Sequence, residues 1–138
     1  MAEKRSAKLK RLVDVQRHLE KLAEYELADT TARQAELAET MERTMSAMVS
    51  LDEHHRVFAR NYAANLSKLE VRNQQLKIAQ QLQEQKILKE KTKGDRLDDR
   101  RAEAAQDEDR EAQDEAVYNL VELALLRLTS ASAKLNQE

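Results

Sequence analysis

The chain has no cysteine, no proline and no tryptophan, and among its 138 residues it holds one glycine, one phenylalanine and three tyrosines. Each scarcity removes a class of structure. Without cysteine there is neither a disulfide framework nor a thiolate zinc site. Sheet proteins need turn residues at roughly 8–12-residue intervals, and almost none are present. Catalytic and phosphate-cradling loops rest on glycines, and a single glycine does not make one. Long apolar runs are also missing. The longest, Leu123-Ala124-Leu125-Leu126, is far short of a bilayer span, and no apolar stretch near the start reads as a signal peptide. The sequence therefore predicts a cytosolic protein.

What remains is helix. About two thirds of the chain is Ala, Leu, Met, Gln, Glu, Lys or Arg, the strongest helix formers. Charged residues make up 36%, yet the net charge is only −2, which with spaced apolar residues argues for order over disorder. The charge is uneven. Residues 1–21 are basic through Lys4, Arg5, Lys8, Lys10, Arg11, Arg17 and Lys21, and residues 95–116 carry ten acids against four arginines. Both read as solvated helix faces, or as two ends of a rod that meet different partners.

The apolar spacing is helical nearly throughout. Leu9, Leu12, Leu19 and Leu22 recur at steps of three and seven. Leu37, Met41, Met48, Leu51, His55, Phe58, Tyr62, Leu69 and Leu76 follow one seam in steps of three, four or seven, which is a heptad stripe. Between 98 and 116 the apolar positions are nearly all alanine. From Val117 to Leu128 they cover an arc wider than a two-stranded seam uses, which implies a further surface against them. An unbroken helix of this length would reach about 207 Å at 1.5 Å per residue, so a turn is expected. Asn61 to Ser67 offers one, with Ser67-Lys68-Leu69-Glu70 spelling a capping box. Thr92-Lys93-Gly94-Asp95 offers another. The first is favoured, because it sets the leucine-rich ends 9–27 and 117–128 against each other. The expected fold is thus all-α, a long antiparallel two-helix coiled-coil hairpin forming one domain: arm 4–62, turn 63–68, arm 69–130, and a fraying tail at 131–138.

No constellation of catalytic residues emerges. His54 and His55 point about 100° apart on a helix, and His18 has no histidine at helical spacing. His55, on the seam, is a pH-sensitive packing residue at most. The chain reads as a non-enzyme with no metal and no cofactor. Its basic stretch lacks interleaved aromatics, which argues against nucleic acid, and residues 4–22 lack an aromatic membrane anchor. Met41, Met45 and Met48, followed by Phe58 and Tyr62, read as core or as an adaptable docking surface.

The stretch Phe58-Ala-Arg-Asn-Tyr62-Ala-Ala-Asn65-Leu66, with aromatics four apart and a tyrosine three before Asn-Leu, resembles the end of the first helix in the FliJ/YscO family of flagellar and type III secretion export proteins. The cysteine-free, charged, helical character of the chain is similar as well. The resemblance implies a stalk like the shaft of rotary ATPases. Its paired ends would enter a hexameric export ATPase, and its middle would contact the cytoplasmic domain of an export-gate membrane protein and export chaperones. It implies a location in the cytoplasm, peripheral to the inner-membrane export apparatus. On that basis Leu12, Leu19, Leu125 and Leu128 are assigned to the ATPase end, and Leu51, His55, Phe58 and Tyr62 to the gate end. Two rival readings stand beside it: a scaffolding rod that is an obligate coiled-coil dimer, and a helical adaptor holding client helices.

Overall fold

In the computed structural model, residues 3–50 and 52–137 are described. They are helical almost throughout, with no strand among them. Helix α1 runs Arg5–Met48, the single-turn α2 Glu53–Val57, and α3 Ala59–Leu135. Two long helices packed together make up the fold. The chain divides into two compact units, Asp14–Gly94 and the N-terminal residues through Val13 with Asp95 onward.

The expected turn at 63–68 is not there. Helix α3 passes through Asn61, Asn65 and Ser67 unbroken, since weak propensity at three positions is small beside a full ladder of helical hydrogen bonds. The chain breaks earlier. After Met48 the helix tightens, with Val49 N–H bonding the Met45 carbonyl and Ser50 N–H the Ala47 carbonyl. Ser50 Oγ then accepts the Asp52 N–H at 3.2 Å. Asp52, extended at φ −65° and ψ 131°, caps α2 by accepting the His54 N–H. Ser50-Leu51-Asp52-Glu53 has the same S-x-x-E spelling as the box at Ser67, so the signal exists in the sequence at both places. Phe58, at φ −98° and ψ 9°, separates α2 from α3. The 131–138 tail is helical as far as Leu135.

Within the Asp14–Gly94 unit, the inward residues follow strict steps of three and four. On α1 they are Gln16, Glu20, Ala23, Leu27, Thr30, Gln34, Leu37, Met41 and Thr44. On α3 they are Tyr62, Leu66, Leu69, Asn73, Leu76, Gln80, Gln83, Ile87, Glu90 and Gly94. All are buried or half-buried, and about half are polar. Pairs between the two helices run in reverse order: Gln16 with Glu90, the exposed Glu26 with the exposed Lys86, Gln34 with Gln80. Leu37 and Leu69 line a common cleft. The leucines chosen from spacing in the first stretch fare differently. Leu12, Leu19 and Leu22 face outward, 45–57% exposed, because the inward stripe beside them is filled by Val13, Gln16, Glu20 and Ala23 instead.

Gly94 does not break α3. A Cβ there would stand 2.8 Å from Arg17 Nη1, 3.2 Å from Arg17 Cζ and 3.5 Å from Gln16 Cγ. At this glycine α1 side chains come close to the α3 backbone, a packing role that composition alone does not reveal.

In the other unit, the N-terminal part of α1 lies along α3 between Asp95 and Glu108. Val13 and Ala104 are its buried apolar residues. Glu108 accepts the Ser6 N–H at 2.9 Å and also the Ser6 hydroxyl. Every described residue from Asp109 onward is exposed.

Candidate functional site

The helix break carries the first group of candidate residues. His55 Nδ1 and Tyr62 Oη are 3.1 Å apart, with ring centroids 5.9 Å apart and tilted by 48°. The pair spans the interruption at Phe58, so the last turn of α2 is fixed to the first turns of α3. Both side chains are half-buried. Phe58 is 49% exposed and Val57 78%. Leu51 lies outside the described residues. Beside the break, a groove of about 510 Å³ is lined by Ala38, Met41, Met45 and Val49 with Glu42, Ser46 and Asn73. Val49 and Met45 are 80% and 54% exposed. The methionine surface read from spacing is therefore partly open, and Met41 also belongs to the inward stripe.

The second group lies at the other end of α3. After Glu108, α3 continues for about seven further turns with no partner among the described residues. Val117, Tyr118, Leu120, Val121, Leu123, Leu125, Leu126, Leu128 and Leu135 are each more than half exposed. Leu125 and Leu128 are thus accessible, but they do not come opposite Leu12. Ser6 already meets Glu108, and Leu125 is 17 residues past that point, about 25 Å along the helix at 1.5 Å per residue. The expected pairing of the two leucine-rich ends fails, because it depended on the turn at 63–68. The end of α1 at Met48 makes the first arm shorter by about fourteen residues and leaves the end of α3 without a partner among the described residues.

The leucine spacing read in the first stretch marks an outward face of α1, not the seam. Leu12, Val15, Leu19 and Leu22 form an outward stripe on α1 in steps of three, four and three. It has the period of the inward stripe and is richer in leucine. Polar residues on the inward stripe concealed which of the two faces the partner helix.

The charged groups are structural in their geometry. Glu108 has its carboxyl held below the usual carboxylate range by the Ser6 hydroxyl and then by the Ser6 N–H, with Lys4 adding attraction. The first turn of α1 has no acidic residue of its own, so Glu108 acts as a cap supplied from the neighbouring helix. Glu90 is lowered chiefly by the hydrogen bond from Gln16, then by Lys93 and Lys86. No group of three or more His, Cys, Asp or Glu among the described residues could hold a metal ion, and no helix among them is long and apolar enough to cross a membrane. Comparison of the chain with protein-family models, with curated proteins and with solved structures returns no match.

Proposed function

We propose that this chain is a non-enzymatic coiled-coil stalk of the flagellar or type III export type, built as an antiparallel helical hairpin. The reverse-ordered pairs between α1 and α3 support the hairpin. The observation that carries the function is the seven-turn, leucine-rich end of α3 that no other described residue of its own chain covers. A side chain set of that size is kept apolar and accessible where another surface is to receive it. In this reading Leu125 and Leu128 enter the hexameric export ATPase. His55, Phe58 and Tyr62, at the helix break, face the export-gate protein, and the methionine groove beside them accommodates export chaperones.

The test is the hydrolysis rate of a purified export ATPase with and without the chain. Stimulation that disappears in Leu125→Asp/Leu128→Asp, with circular dichroism unchanged, supports the stalk. Absence of stimulation by the intact chain rejects it.

One observation favours a scaffolding rod instead. Among the described residues the buried apolar ones are few, namely Val13, Ala23, Leu37 and Ala104, and none has a large side chain that is fully buried. Two helices with so thin a core gain from a second pair packed along them. An obligate rod would lose its helicity on dilution to nanomolar concentration, whereas a stalk would keep it.

A further inference from the structure

We infer that Met41, Met45 and Met48 form a peroxide-sensitive modification site at the end of α1, where sulfoxide formation loosens the last two turns of that helix from α3. The chain has no cysteine and four methionines, and three of the four fall within two turns of one helix. Their steps of four and three put the side chains on one helix face. The cluster closes α1, whose last residue is Met48. The three thioethers differ in access. Met45 is 54% exposed and Met48 36%. Met41 is half-buried on the inward stripe, and it lines the groove beside the break together with Met45 and with Asn73 of α3. A solvent peroxide therefore meets Met45 and Met48 directly, and Met41 more slowly along the groove, since oxidation follows exposure.

The reaction is a two-electron oxygen transfer. The sulfur lone pair attacks one oxygen of hydrogen peroxide, and an S–O bond forms as the O–O bond breaks. The proton on the transferred oxygen passes to the leaving hydroxide, which departs as water. Sulfur is oxidised from thioether to sulfoxide, and the peroxide is reduced. The effect follows from how little holds this end of α1. From Thr30 to Thr44 the inward residues are Thr30, Gln34, Leu37, Met41 and Thr44. Two of these are large and apolar, and Met41 is one of the two. A sulfoxide there replaces a flexible apolar side chain with a polar one and leaves Leu37 alone on that stretch. The last turn also has no basic side chain to offset the helix dipole. Met45 and Met48, already exposed, lose less packing on oxidation. The fast sites are thus nearly silent, and the slow one acts on the structure. None of this rests on the export reading.

Treating the full chain with hydrogen peroxide tests the site. Mass spectrometry of tryptic peptides separates Met41, in residues 34–43, from Met45 and Met48, in residues 44–56, and fragmentation resolves the last two. Met45 should react within about threefold of free methionine and Met41 about tenfold or more slowly than Met45, a difference that vanishes in denaturant. Hydrogen exchange is the second readout. Once Met41 has reacted, the amides of residues 41–48 should exchange about tenfold faster or more, with residues 20–34 unchanged. Met41→Leu should keep the slow exchange even with Met45 and Met48 fully oxidised. Methionine sulfoxide reductases should restore it in the unsubstituted chain. Met41 reacting as fast as Met45 overturns the inference, because its sulfur is then not held on the stripe. Exchange that ignores Met41 oxidation overturns it, because other residues then hold the end of α1. Exchange that quickens equally in oxidised Met41→Leu also overturns it, because the effect then lies at the exposed methionines.

Discussion

Gln83 sits on the inward stripe of α3 with its side-chain oxygen buried and unbonded among the described residues. Its neighbours on the stripe are paired: Gln80 with Gln34 at 2.8 Å, and Glu90 with Gln16. A buried acceptor without a donor costs about 1–3 kcal/mol. Gln83→Leu should therefore stabilise the chain by about 1 kcal/mol or more in denaturant unfolding, whereas Gln80→Leu should not, because it leaves the Gln34 amide unpaired. Gly94 gives a second residue-scale outcome. Alanine there gains helix propensity of about 1 kcal/mol, and the atom it meets is the mobile end of Arg17. Gly94→Ala should raise the midpoint slightly. Gly94→Leu, which must also displace Gln16, should lower it. Glycine scarcity was legible in the sequence, but the reason for this glycine was not. A close approach between helices depends on register, and register depends on a turn that had been placed at 63–68.

At the scale of the element, α1 begins without an acidic residue in its first turn and takes its cap from Glu108 of α3. The charged carboxylate is the bonded form, and its folded pKa lies below the ordinary one. Stability from this contact, and from Glu90 with its Gln16 bond, is thus present above the ordinary carboxylate pKa and is lost as pH falls through the lowered folded value. Ser6→Ala should flatten that acid dependence. It should also release the protection of the first amides of α1 from hydrogen exchange, with residues 20–40 unaffected. At the break, Phe58→Ala should leave helicity intact because the ring is half exposed. Tyr62→Phe should loosen α2, read as faster exchange of the His54 to Val57 amides, because the bond to His55 is lost. Each of the six threonines donates to the carbonyl four residues earlier, Thr30 to Glu26 and Thr129 to Leu125 among them. This local bond lets them stand inside helices. Helix class and heptad period were readable from composition and spacing. The break was not, because Ser67-Lys68-Leu69-Glu70 spells a capping box yet lies inside α3, and the cap that opens α2 is Asp52.

At the scale of the molecule, the leucines and the core have separated. The inward stripe is half polar, and the leucine-rich stripes at Leu12–Leu22 and after Val117 face outward. Sequence reading follows large apolar residues, so it assigned the seam to Leu12 and Leu19 where the structure has Val13 and Gln16. Ending the chain after Glu111 should therefore leave the unfolding midpoint nearly unchanged, while the helical signal falls by the share of residues removed. A large drop in the midpoint would show that the exposed end of α3 contributes to the fold. The polar inward stripe has one more consequence. If α1 were displaced by seven residues along α3, inward positions would still meet inward positions, because both stripes recur in steps of three and four, but Leu37 would stand where Thr30 or Thr44 had been. Gln16 would lose Glu90, and Gln34 would lose Gln80. The hydrogen-bonded pairs make one alignment distinguishable from its near-copies, so they act as address marks on a track whose inward positions repeat.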